Sequence, residues 1–177
     1  MQQRESNLDL GPGASMFETP SLVHDEAGFL AATFRNVALV VWGTQATLPL
    51  AKKLEQFSDA LVARSPKGIS AIHIITSTAP LPESETRAEL NRLTDKYAKS
   101  LGVMATVIEG NGFWASAMTS FITSLHWMSR RPFKARTVSN IDEIATWAPP
   151  HHLAKTGVTI GSGELLRALI WVRDRLR

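Results

Sequence analysis

Gly110-Asn111-Gly112 follows an apolar run, Val103 to Ile108, and precedes a stretch with helical spacing, so it reads as the turn of a strand-turn-helix unit. Such a turn brings the N–H groups of a helix N-terminus to the carboxyl end of a strand, and glycine allows close approach to the backbone. An anion is the ligand that this arrangement would take. The string lacks the further glycine of a dinucleotide fingerprint and the Gly-Lys-Ser/Thr of a phosphate loop, so a plain turn is the competing reading. Glu109 ends the strand and is the best-placed acid in the chain. Without an evident partner, a lone carboxylate is more often a helix cap or an ion-pair member than a catalytic base. One of Phe113 and Trp114 should face the core, and an exposed Trp114 would favour a contact surface. Ser77 and Thr78, in the turn Thr76-Ser77-Thr78-Ala79-Pro80, would lie nearby across the sheet end.

Other residues with chemical potential have plainer readings. His73 inside ISAIHIIT and His126 beside Trp127 suit hydrogen-bonded structural histidines. His151-His152 does not define a metal-ligand set, and the preceding Pro149-Pro150 suggests a loop. The absence of cysteine excludes disulfides, thiolate nucleophiles and cysteine-based metal sites. No G-x-S-x-G elbow occurs, and Gly161-Ser162-Gly163 reads as the N-cap of the last helix. Arg130-Arg131, with Lys134 and Arg136, is the densest basic group and a candidate partner contact, although a helix C-terminus alone would satisfy it. Arg167, Arg173, Arg175 and Arg177 form the solvated face of the last helix, or a basic surface for a membrane or an acidic partner. No catalytic residue, metal or cofactor is expected.

At 177 residues, 44% hydrophobic and 20% charged, the chain suits one globular domain with a full core. The net charge of +3 is uneven: residues 1–63 carry a net −3 and residues 110–177 a net +5. Scattered surface basic residues explain that better than a nucleic-acid partner, and none is expected. Residues 1–20, with Gly11-Pro12-Gly13, read as a flexible leader without the apolar region of an export signal. No run approaches the roughly 20 apolar residues that cross a bilayer, so no transmembrane segment and a cytoplasmic location are expected.

The elements that must position these residues follow from periodicity. FLAATF (29–34) and VALVVW (37–42) flank Arg35-Asn36 as a hairpin in which Asn36 tolerates a positive φ. Thr47 and Pro49 open a helix with Leu50, Leu54, Phe57 and Leu61 on one face. ISAIHIIT (69–76) is a buried strand. A helix then runs from Glu83 and Glu85 to Lys96 and Lys99, with Leu90, Leu93, Tyr97 and Leu101 as its stripe and Gly102 as its C-cap. After Val103 to Ile108 comes a helix lined by Phe113, Ala117, Phe121 and Leu125 and stopped by Pro132. Lys134 to Val138 is an edge strand, Asn140 caps a short helix that Pro149-Pro150 ends, and a last helix carries Leu165, Leu166, Leu169, Ile170 and Leu176. The expected fold is α/β: one domain with a mixed, mainly parallel sheet, an N-terminal β-hairpin, flanking helices and an added C-terminal helix.

That order of elements, with the closing sequence Thr137-Val138-Ser139-Asn140-Ile141-Asp142-Glu143-Ile144-Ala145-Thr146-Trp147, resembles the STAS domain group, more narrowly its SpoIIAA-like branch, over residues 29–149. The resemblance implies a non-enzymatic interaction or ligand-sensing module, often controlled by phosphorylation. Neither Thr76 to Pro80 nor Gly110 to Gly112 reproduces the Asp-Ser-Ser/Thr-Gly type of motif of the phosphorylatable members, so no phosphosite is carried over. The expected organisation is a leader (1–20), a STAS-like α/β domain (21–149), and a loop and helix (150–177) packing on that domain or on a second subunit as a homodimer. The expected function is regulatory contact with a protein partner; the alternative is binding of a small anionic or lipid-like ligand at the carboxyl end of the sheet.

Overall fold

A computed structural model describes residues 17–127 and 131–176. Most of the expected leader, Arg130 and the side chains of Leu125 and His126 lie outside the described residues. Among those residues the chain forms β1 (Ser21–Glu26), β2 (Phe29–Phe34), β3 (Val37–Trp42), α1 (Leu48–Ala63), β4 (Ile69–Ile75), α2 (Ser84–Tyr97), β5 (Leu101–Ile108), α3 (Gly112–Trp127), β6 (Lys134–Val138), α4 (Ile141–Thr156) and α5 (Ser162–Arg175). All six strands join one sheet in chain order. The first three pair antiparallel, and β3 to β6 pair parallel.

That order decides where the helices lie. Each parallel crossover steps one strand in the same direction, so right-handed connections must lay α1, α2 and α3 on one face. Leu54, Phe57, Leu93, Tyr97, Met118 and Ile122 accordingly share a core with Phe29, Val40, Trp42 and Ile75. After β6 the chain turns back over the opposite face, where α4 and α5 bury Ile144, Ala148, Leu165 and Leu169 against Leu30, Leu39, Ile74 and Val107. Every residue of β2 and β3 is buried, as continuous apolar runs covered on both sides require.

Several expectations need correction. The hairpin does not form the sheet edge, because β1 pairs outside β2; its polar, exposed sequence conceals it, and an edge strand needs only one partner. The positive φ of the β2–β3 turn is at Arg35 (54°), whereas Asn36 is buried and its Nδ2 donates to Gly68 O at 2.9 Å. Gly102 is no helix cap. It lies in β5, where an added Cβ would come within 2.6 Å of Lys155 Cβ, so its lack of a side chain lets α4 pack closely on the strand. The buried stripe of α3 is turned from the expected one: Met118 and Ile122 are buried and Phe113 is 91% exposed.

Pro149-Pro150 does not end α4, which continues to Thr156 and stops at Gly157 in the left-handed region. The helix pitch survives because Pro149 is buried and α4 is held on both sides of it by Ala145, Ala148 and His152. Leu165, Ala168, Leu169 and Val172 of α5 are buried inside the chain itself, on β2, β3 and α4, while Ile170 of the expected apolar face is exposed, so α5 packs on its own domain without needing a second subunit.

Candidate functional site

At the carboxyl end of the parallel strands, part of the expected cluster assembles. Gly110 has φ +156°, and a Cβ there would lie 2.8 Å from the Trp114 ring and 3.3 Å from Ser77 Cβ. The indole therefore closes over Gly110 beside Ser77, and its Nε1 donates to Ala79 O at 3.0 Å. Trp114 is thus a half-buried latch between two loops, and Phe113 is the exposed aromatic. Thr78 Oγ1 donates to Gly43 O at 3.0 Å, which obliges Thr76 to donate in the 2.8 Å contact between the two hydroxyls. Asn111 and Gly112 are exposed, and a Cβ at Gly112 would meet nothing within 4 Å.

Two charged candidates are engaged elsewhere. Glu109 lies 3.6 Å from Arg173 of α5, so an ion pair across the sheet end replaces the expected lone acid. Arg131, with its side chain 5% exposed, binds Asp95 at 3.0 Å and Asn91 at 3.3 Å on the second half of α2 and takes no part in the Gly110 turn.

The feature that sequence reading missed is a cavity between the sheet and α1–α3. It holds about 110 Å³ of open space. Its floor follows the register: Ala38, Ala71 and Met104 form one row, and Val40, His73 and Thr106 the next. Paired alanines leave room that larger side chains would fill. Above the floor α2 packs beside α1, with Leu93 and Tyr97 in the core shared with Leu54 and Phe57 and ion pairs along the exposed side. Arg92 and Lys96 bind Glu55 Oε1 at 2.9 and 2.8 Å, and Lys96 also reaches Asp59. The Lys96 ammonium and the Arg92 guanidinium hold the Glu55 carboxyl below its ordinary range, and Lys96, then Tyr97, do the same for Asp59.

Several polar side chains on the cavity wall are committed to protein. Thr94 Oγ1 donates to Leu90 O at 2.8 Å, and the Tyr97 hydroxyl contacts Asp59 Oδ1 and Glu55 O at 2.8 and 3.0 Å. Burial, more than Asp59, pushes the Tyr97 phenol up to about 12. Trp42 Nε1 donates to His73 Nδ1 at 3.1 Å, so a neutral His73 carries its proton on Nε2. His73 and Met104 are only half-buried although they sit mid-strand in β4 and β5, so the floor is reached from outside between α2 and α3. A second approach lies at Thr44, Ala46 and Pro80. The sequence carried a trace of this in the small side chains of Ala38 and Ala71 within central strands.

On the opposite face, Ser70, His152 and Asn36 form a chain that resembles a hydrolase triad in residue type. Ser70 Oγ lies 2.8 Å from His152 Nδ1, and His152 Nε2 lies 3.0 Å from Asn36 Oδ1. All three are buried, at 1%, 2% and 9% exposure, so no substrate reaches them. His152 lies inside α4 and not in a loop, and His151 packs against the Trp147 ring.

The chain matches no family model, no curated protein and no solved structure. Among the described residues no three histidine, cysteine, aspartate or glutamate side chains gather as a metal-ligand set, and no helix is long and apolar enough to cross a membrane.

Proposed function

We propose that the protein acts by binding and not by catalysis: it takes a small apolar or amphipathic molecule between the sheet and α1–α3. The supporting observation is the cavity, whose lining is mostly apolar and in which the Thr94 and Tyr97 hydroxyls are bonded to protein. The contents differ from the small anion weighed for the Gly110 turn, where Glu109 would repel one and Arg131 is directed elsewhere.

A STAS-like sensing module would connect this ligand to a protein partner. Phe113, 91% exposed in the first turn of α3, offers that output next to helix residues that line the cavity. Ligand binding is tested by thermal unfolding of the purified protein with naphthalene and decanoate. At about 100-fold excess over Kd, a ligand of this kind should raise Tm by about 5–10 °C. No shift with either compound, together with an empty protein by native mass spectrometry, rejects the proposal.

A further inference from the structure

Resting on the cavity as a binding site, we propose that its occupant is a single unbranched acyl chain of medium length, presented as a free acid or as an ester. The first argument is shape. The lining runs along β4 from Ile75 to Ile69 and along β5 from Thr106 to Leu101. Six residue steps of strand extend about 20 Å at roughly 3.3 Å each, so the void is long. It is also narrow, because its volume is spread along that length.

Capacity is the second argument. Spread over about 20 Å of strand, the 110 Å³ of open space forms a strip that suits one extended chain and not two abreast. A fused ring system needs width where the floor offers a groove over Ala38 and Ala71. Polarity is the third. The lining is mostly apolar and its Thr94 and Tyr97 hydroxyls are already bonded to protein, so polar groups along a ligand find few partners there, whereas an alkyl chain needs none. A polar head then remains outside, at Thr44 and Pro80 or in the gap between α2 and α3.

The test is a series of unbranched carboxylates, hexanoate to hexadecanoate, with naphthalene as a ring ligand and decanoyl lysophosphatidylcholine as an ester, read by native mass spectrometry and thermal shift on the full chain. Affinity should rise about fourfold per methylene and level off once the groove is filled. Ala71→Leu, which fills the groove from the floor, should weaken decanoate at least tenfold while Tm is kept or raised; Ala38→Val serves if Ala71→Leu does not fold. Binding of decanoate alone assigns a free acid, and equal binding of the lysophospholipid assigns an ester; both support the chain. Binding of naphthalene with no carboxylate bound overturns the acyl assignment and leaves the cavity as a binding site. Affinity independent of chain length, or unaffected by the filling variants, also overturns it. No ligand bound at all overturns the binding role itself.

Discussion

His152 shows how a single side chain couples the fold to pH. Asn36 Oδ1 can only accept, so Nε2 of His152 carries the proton, and the bare Nδ1 receives the Ser70 hydroxyl. Burial pushes the imidazole down to about 4. Between about 4 and the ordinary value near 6.5 the unfolded chain holds a proton that the folded one refuses, so stability rises with pH across that window, with a slope approaching about 1.4 kcal/mol per unit. Urea unfolding at pH 6.5 and pH 5 should therefore show wild type weaker at the lower pH. His152→Gln should flatten that dependence while lowering stability at neutral pH by about 1–3 kcal/mol, because its amide cannot match both partners. Parallel pH curves for the two proteins would refute the assignment. The carboxyls of Glu55, Asp59, Glu89 and Glu164 are held low and release their stabilisation only at more acidic pH. Nothing local to His151-His152 announces this role, because Ser70 and Asn36 reach His152 only through the packing of α4.

Among the elements, α4 carries the clearest difference between local signal and tertiary outcome. Asn140 caps it as the sequence indicates, accepting from the Glu143 N–H at 3.0 Å. The proline pair was legible as a stop only because propensity ignores neighbours; burial on the sheet holds the helix through the bonds that Pro149 and Pro150 cannot donate. Gly102 is the complementary case, a residue whose type fits a C-cap and whose actual work is to let Lys155 approach. Gly102→Ala should thus force α4 away from β5, costing about 1–3 kcal/mol. A thermal melt would read this as a Tm several degrees lower, and a wild-type Tm would show that the close approach is not needed. The α3 stripe was misplaced because the segment is apolar almost all round, so periodicity leaves its phase open and only docking on β5 and β6 settles it.

At the scale of the whole molecule, the two sides of the sheet are unequal. Strand order and double coverage were legible, since unbroken apolar runs demand helices on both faces and successive crossovers put three helices together. A void was not, because it depends on how α1–α3 stand over Ala38 and Ala71, which no local pattern sets. The α4–α5 side is closed and serves as the structural half, with Leu165, Ala168, Leu169 and Val172 almost without exposure. The α1–α3 side gives up packing to keep its cavity. Truncation on the two sides should then differ in cost. Leu169→Ala leaves a new hole in a filled layer and should destabilise by about 2–5 kcal/mol. Leu90→Ala enlarges space that already reaches solvent, removing a side chain that is only half-buried, and should cost clearly less. Denaturant unfolding of both variants measures the contrast. Equal losses would mean that the α1–α3 layer is packed as tightly as its opposite, and the room on which ligand binding depends would not exist in solution.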